Sequence, residues 1–434
     1  MNHIRPAVEA DLPSLLALAH TGNYINLPPF PKRLEQIVAM SHGSFRAAAA
    51  SPTPPDGHER HKDRYLFVVD DGTGRCVGTS SIRGGMGSTT HPNLSFQLLK
   101  VVRRSEVLRK NDELSGAPIV AGLTDHFYAV LFQDPYSPTE LGGNVLHPDM
   151  RSRGVGKLLS YSRFHYLREH SSWFSDRLLA EMMAPIEPYN DGNPFWRHVV
   201  RPFIGLSYQN ADRLSTHDEQ REFMYELLPR LVNLSLLSTS VLDTIGEVGP
   251  YTKSAEGMLR SIGFVDSHRI DPFDAGPHLE TRLSTINGLD ATPRAVEVQD
   301  AALSNSVDAI ISSEQGGHGF HAVRGRVALT ESGVQITPEI AKALGVVSGD
   351  TVSVSRLDFE ASPPRKKGLG IPVIDLKAES ERVLKANHDK DHTPLAALNV
   401  SDFAEIIERE LDVLRHELRT DLRTELTPPS TQNG

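Results

Sequence analysis

Between residues 150 and 159 the chain reads Met-Arg-Ser-Arg-Gly-Val-Gly-Lys-Leu-Leu, which sets Arg151, Gly154 and Gly156 in the spacing Arg-x-x-Gly-x-Gly. Glycines let the main chain close on a ligand, and a helix start leaves backbone N–H groups without internal partners. Arg151, Arg153 and Lys157 add positive charge to those amides, with Val155 opening the helix, so the segment is built to grip a pyrophosphate. The spacing is neither the Gly-x-Gly-x-x-Gly of dinucleotide sites nor the Walker loop. Elsewhere, His388-Asp-Lys-Asp-His392 has metal-like composition but lies in a polar stretch, and it reads as a solvated loop. No metal is expected. No Ser-His-Asp or Cys-His arrangement has support, and Cys76, inside a predicted strand, is expected to be inert core.

The elements that must hold the phosphate loop follow from periodicity. Glu140-Leu-Gly-Gly-Asn-Val-Leu-His-Pro-Asp149 reads as a strand ending in a His-Pro turn that His147 caps, and Val155, Leu158, Leu159 and Ser162 mark the amphipathic helix after it. Upstream, Ile4-Arg5-Pro6-Ala7 is a short strand, Asp11 is placed to cap a helix, and a second helix is expected from Pro31 to about His42. The stretch 47–61, rich in Ala, Pro and charge, reads as a mobile surface loop. Asp70-Asp-Gly-Thr-Gly74 joins Tyr65–Val69 to Arg75–Ile82 as a hairpin. Strands are expected at Phe96–Val102, Phe127–Phe132 and Arg177–Met183, the last with little alternation, which suits the middle of a covered sheet. Ser215 or Thr216 is expected to cap a helix carrying Phe223, Leu227 and Leu228, and Ala255–Phe264 reads as helix, Gly stop and strand.

A chain of 434 residues exceeds the size at which one core keeps growing, so more than one domain is expected. Its formal charge of -10 argues against a general nucleic-acid binder. The lone Cys76 excludes an intramolecular disulfide and fits a reducing cytoplasm, and no apolar run is long enough to cross a bilayer. Residues 296–357 form a small β-rich module, Ser362-Pro-Pro-Arg-Lys-Lys-Gly368 a linker, and Asp402–Leu426 a helix whose leucine stripe suits a coiled coil or docking contact. The end, Thr427–Gly434, is expected to be disordered.

The phosphate loop after a strand ending in His-Pro-Asp resembles the coenzyme A loop of the acyl-CoA N-acyltransferase (GNAT) superfamily. A closer resemblance lies in Ser160-Tyr-Ser-Arg-Phe164, Ala180-Glu-Met182, Pro194-Phe-Trp196, Ile245-Gly-Glu-Val248 and Phe273-Asp-Ala-Gly-Pro-His-Leu-Glu280. These are similar, in order and spacing, to segments of the bacterial arginine N-succinyltransferase family, over about residues 1–285. The resemblance implies an α+β fold, a GNAT-like mixed sheet flanked by helices over 1–285, with the β-rich module at 296–357 and a linker and helical tail over 358–434. It implies transfer of a succinyl group from succinyl-CoA, or of another acyl group from its acyl-CoA, to the α-amine of arginine. The expected partners are acyl-CoA, an amino-acid substrate and a second subunit, either the same chain or a relative, with no nucleic acid and no membrane. Asn144, Val145 and Leu146 then pair their backbone with the pantetheine arm, and Asn144 falls where the family contacts succinyl-CoA. Glu140 stands where many members of the superfamily, and the family itself, have a Glu that accepts the amine proton, against an equally good reading as a buried partner for an Arg.

The acceptor side departs from the family. The family's proton-donating histidine, in "Gly-x-Val-His-Pro", is replaced by Gly249 before Pro250. Its "Gly-Leu-Thr-Ser-Leu-Pro" loop reads Tyr24-Ile-Asn-Leu-Pro28, placing Asn26 at the expected acceptor side, and its "Asn-Asp-His" reads Gln133-Asp134-Pro135. Tyr251 is the candidate to protonate the leaving thiolate, against an equally good reading as a packed aromatic, and Asp134 the candidate partner for an acceptor guanidinium, against a plain turn residue. Coenzyme A binding is expected to be kept, with the acceptor or the proton route changed; a non-catalytic acyl-CoA binder is the alternative.

Overall fold

The computed structural model describes residues 1–21, 27–103, 109–111, 118–120, 124–187, 189–215, 221–300, 303–315, 319–331, 333–361 and 373–375. The strands are β1 (His3–Pro6), β2 (Arg64–Asp70), β3 (Cys76–Arg83), β4 (Asn93–Arg103), β5 (Arg109–Asn111), β6 (Pro118–Val120), β7 (Thr124–Asp134), β8 (Thr139–Leu146), β9 (Arg177–Glu181), β10 (Leu231–Asn233), β11 (Val265–Ile270) and β12 (Pro277–Arg282). After them come β13 (Thr292–Val298), β14 (Val307–Ser313), β15 (His321–Leu329), β16 (Gly333–Ile336), β17 (Thr351–Arg356) and β18 (Val373–Asp375).

The main sheet runs β10-β7-β4-β11-β12-β9-β8-β3-β2-β1-β15-β14-β17-β13-β16, with β18 alongside β4. Most neighbours are antiparallel, and β8 beside β9 is the parallel pair at its middle. β2 is apolar on both faces because helices cover both: Leu66 and Val68 pack with Leu15, Leu18 and Leu34, while Tyr65, Phe67 and Val69 pack with Val155, Leu158 and Tyr166. The β2–β3 turn closes as its sequence predicts. Asp70 Oδ1 accepts from the N–H groups of Gly72 and Gly74 at 2.8 and 3.0 Å, and both glycines have positive φ.

The β-rich module has its own core, in which Val296, Ile311, Val323, Ile336, Leu344 and Val354 meet. It is also stitched into the larger sheet, because β15 pairs with β1 through His3–Val323 and Ile4–Ala322.

Several elements differ from the sequence expectation. The helix Pro31–Ala50 continues through the alanine run at 47–50, since Phe45 and Ala48 pack on the core and alanine favours a helix. Asp11 does not cap the helix Leu12–Ala19 with its side chain; its carboxylate accepts from Val8 N–H and pairs with Arg5 at 2.7 Å. Ser215 ends the helix Tyr208–Ser215 rather than starting the next, Glu222–Leu227, in which Leu227 is exposed. Asn26, Thr216, the linker 362–368, His388–His392, the tail helix and Thr427–Gly434 lie outside the described residues. Among the described residues no helix is long and apolar enough to cross a membrane.

Candidate active site

β8 and β9 pair only at Thr139–Leu178 and Glu140–Leu179. Past Glu140 they part, leaving the β9-facing edge of β8 without a strand partner. On its other edge β8 stays paired with β3 but slips register between Thr79–Val145 and Ser81–Gly142. The extra residue is accommodated at Gly143, whose φ is +64°, and a Cβ there would lie 2.7 Å from Ser81 Oγ. Arg163 pins this bulge from beneath. Fully buried on the helix Val155–Glu169, it donates from Nη1 to the carbonyls of Ser81 and Gly142 at 3.2 Å each, and from Nε to Ser160 O at 3.2 Å.

A cavity of about 210 Å³ opens where the strands separate. Strand register places a row of ionisable groups along its floor: Arg83 is opposite Glu140, Glu140 is opposite Leu179, and Glu181, two residues on and on the same face, is opposite His278. Arg83 Nε is 3.5 Å from Glu140 Oε2, Asn93 Nδ2 donates to Glu181 Oε1 at 3.2 Å, and His278 Nε2 is 3.7 Å from that oxygen. Asp271 closes the group, with a carboxylate oxygen within 4.8 Å of both Glu181 and His278. Asp212, Asp274 and Tyr208 also line the cavity.

Burial crowds these carboxylates. Desolvation and then Glu140 push Glu181 up to about 7, and desolvation and then Asp271 push Asp212 up to about 7. Asp271 and Asp274 are raised by burial, reinforced by Glu181 and Asp271 respectively, and burial lowers His278 to about 4. Arg83, Arg163 and Arg221 are the cationic side chains of the lining, against Glu140, Glu181, Asp212, Asp271 and Asp274. A cation placed among these raised carboxyls restores their ionised form, which suits the chamber to a cationic guest.

The structure brings Glu140, Asn144, Val145 and Tyr251 to this cavity. The side chain of Val145 packs in the core with Leu15 and Val68 and that of Leu146 against the core of Phe67 and Val155, which leaves the backbone of that segment for a ligand, while Asn144 Oδ1 is buried without a hydrogen-bond partner among the described residues. Tyr251 is 74% exposed at the rim, so it is not a packed aromatic. Gly154, with φ +78°, is the N-cap of the helix Val155–Glu169; Val155 is buried, Gly156 half-buried, and Arg151, Arg153 and Lys157 are exposed around its first turn. These residues lie beyond the lining of the cavity, at the far end of β8. His147 caps its turn by accepting from Asp149 N–H at 3.4 Å.

Asp134 is placed elsewhere, and its expected pairing with an acceptor is replaced by an internal network. Its carboxylate already holds Arg177 at 2.7 Å and Arg269 at 3.0 Å, and both guanidiniums also hold Glu280. Cys76 is buried and its thiol pushed up to about 12, which makes it inert as expected. Arg163, Glu181 and His278 are marked in the sequence only as members of family-like segments, without a role, and Asp212 and Asp271 are not marked at all. The strand register and the contacts that unite them are not visible in any one segment.

The profile of the arginine N-succinyltransferase beta subunit matches residues 2–288, and that of the C-terminal domain of the same subunit matches residues 294–356. The chain belongs to the arginine N-succinyltransferase family. It is an acyltransferase. The arginine N-succinyltransferase subunit beta of Pseudomonas aeruginosa is 32% identical over 289 residues, spanning 66% of this chain and 78% of that one. The arginine N-succinyltransferase of Yersinia pseudotuberculosis is 28% identical over 366 residues, spanning 82% and 98%. Among solved structures, the arginine/ornithine succinyltransferase subunit AI from Pseudomonas aeruginosa shares the fold, with a TM-score of 0.67 at 24% identity over 82% of this chain and 98% of that one.

Proposed function

We propose that this acyltransferase moves the succinyl group of succinyl-CoA to the α-amine of L-arginine, as a cytoplasmic enzyme of arginine catabolism working as a homo-oligomer or paired with a related subunit. The observation that carries the acceptor is the cavity itself, whose lining sets five carboxyl groups, Glu140, Glu181, Asp212, Asp271 and Asp274, against three guanidiniums, Arg83, Arg163 and Arg221. A guanidinium neutralises that excess, with the charge-assisted bonds that favour cationic recognition. The donor side rests on Asn144 Oδ1, a buried acceptor without a partner among the described residues, which suits an amide N–H of the pantetheine arm. The diphosphate lies against the N–H groups of residues 155–157, with Arg151, Arg153 and Lys157 around it.

Chemistry then follows from placement. The parted edge of β8 holds the thioester beside the amine, so most of the rate gain comes from proximity and from backbone N–H groups that polarise the carbonyl. Glu140 belongs to the charged row that receives the amine, and Tyr251 at the rim supplies a proton to the departing sulfur. A second reading has one specific observation behind it. Gly249, at the family's histidine position, bears no side chain, which suits a non-catalytic acyl-CoA binder.

Release of free thiol from succinyl-CoA, measured with arginine, ornithine, lysine and citrulline, tests the proposal. Arginine is expected to exceed its uncharged counterpart citrulline by at least about tenfold in kcat/KM, roughly 1.4 kcal/mol of charge recognition. Turnover of another amine alone reassigns the acceptor. Tight calorimetric binding of succinyl-CoA with no turnover of any amine establishes the second reading.

A further inference from the structure

We propose that Glu181 takes the proton from the acceptor's ammonium and that His278 is the positioning residue behind it; this rests on the acyl-transfer reading above. The need arises at Gly249. Its N–H is bound to Met183 O at 2.8 Å, and a Cβ there would lie 2.8 Å from Ala184 O and 3.0 Å from Met183 O. Backbone fills the space a side chain would take, so the donor role of the family's histidine falls to Tyr251 in the reading above, and the group that takes the ammonium proton is to be found among the carboxyl groups of the cavity. Glu181 is two residues upstream of Met183, on the same side of the opening.

Three of the other carboxylates of the cavity are more committed, and Asp212, whose carboxylate accepts no hydrogen bond from the described residues, stands on the helix Tyr208–Ser215 and not on the parted strands. Glu140 faces Arg83, Asp274 accepts from Gly276 N–H at 2.7 Å and Ala184 N–H at 3.2 Å, and Asp271 accepts from Phe273 and Asp274 N–H at 2.8 and 3.0 Å. Glu181 is bonded through Oε1 to Asn93, and no described residue bonds its Oε2. His278, 1% exposed, directs an Nε2 that has no hydrogen-bond partner among the described residues toward the same carboxylate at 3.7 Å. Glu140 and Asp271 face the pair with negative charge, and Arg83, Arg221, Arg269 and Glu280 complete its charged surroundings.

Burial keeps the imidazole neutral near pH 7, and its Nε2, 3.7 Å from Glu181 Oε1 and so not yet hydrogen-bonded to it, becomes the donor that orients Glu181 and favours its ionised form as the acceptor draws the two together. Glu181, poised near neutrality, is matched to an amine proton. In the step, an N–H bond of the ammonium breaks and its proton passes to Glu181. The freed lone pair forms the C–N bond at the thioester carbon, and the C–S bond breaks with its electron pair going to sulfur. The nitrogen proton lost as the amide forms is matched by the one the thiolate gains, giving amide, free thiol and protonated Glu181, which discharges to solvent through the cavity.

The test is the pH profile of succinyl transfer to arginine. Wild-type kcat/KM should rise with pH through about 7, and E181Q should lose about a hundredfold or more in kcat and the limb with it, at unchanged succinyl-CoA affinity and melting temperature. E181D, which keeps the charge but withdraws it, should retain more activity. H278L should move the limb to higher pH, and H278Q, which restores an N–H donor, should move it back. Wild-type kcat and an unaltered limb in E181Q overturn the proposal while leaving acyl transfer intact. Loss of activity on chelation that is restored by a divalent ion overturns it in favour of metal chemistry, and a wild type inactive on every amine overturns both readings.

Discussion

Replacing Asp212 by asparagine removes a carboxylate that accepts no hydrogen bond from the described residues and whose charge burial already disfavours. Its value lies in what it offers an incoming cation. D212N should raise KM for arginine about fivefold to tenfold, on the order of 1 kcal/mol for a partly solvated ion pair, and leave KM for succinyl-CoA unchanged in initial-rate measurements. Asp134 is the opposite case. Arg177 and Arg269 hold it below the usual carboxylate range against its desolvation, so D134A strands buried guanidiniums. The expected cost is about 3–5 kcal/mol, read from urea unfolding, with little change in KM for either substrate among folded molecules. Sequence alone offered Asp134 as the acceptor's partner because a carboxylate beside a central strand and a proline turn has the right chemistry. What it lacked was the knowledge that β9 and β11 bring two arginines to the same carboxylate.

The bulge in β8 joins folding to binding. Gly143→Ala meets both a positive φ and Ser81 Oγ, so it should straighten or displace the segment that faces the cofactor. A stability loss of about 1–3 kcal/mol and a weakened calorimetric affinity for succinyl-CoA are expected together. Unchanged affinity would separate the bulge from the pantetheine arm. Much of this architecture was legible in sequence, because it is written in local patterns: the apolar run Tyr65–Val69, the Asp-Gly-Thr-Gly turn, and the strand, His-Pro turn and glycine loop in succession. The end of the helix Pro31–Ala50 was not, because the buried faces of Phe45 and Ala48 are defined by a core that forms later in the chain. Arg163 was legible only as part of a motif, since its carbonyl partners come from β3 and β8. The acidic cavity was least legible, because Glu181, Asp212, Asp271 and His278 reach it from distant segments.

Across the molecule, the C-terminal module does more than pack. Arg324 on β15 is locked by Asp308, with its Nε donating to both carboxylate oxygens at 3.0 and 3.1 Å, and its Nη1 donates to Gly154 O at 3.2 Å. The module thereby braces the N-cap from which the phosphate helix starts. R324A should raise KM for succinyl-CoA severalfold, leaving KM for arginine near its wild-type value, because the released loop no longer presents its amides in a fixed array. The whole account depends on one arrangement: diphosphate at residues 155–157, pantetheine along the parted edge of β8, and thioester beside the acidic cavity. Crystals grown with coenzyme A test it most directly. The account predicts density for the arm between Gly142–Val145 and the chain at Met182–Ala184, with the sulfur within reach of Glu181. Coenzyme bound elsewhere, or that channel filled by protein side chains, would contradict it.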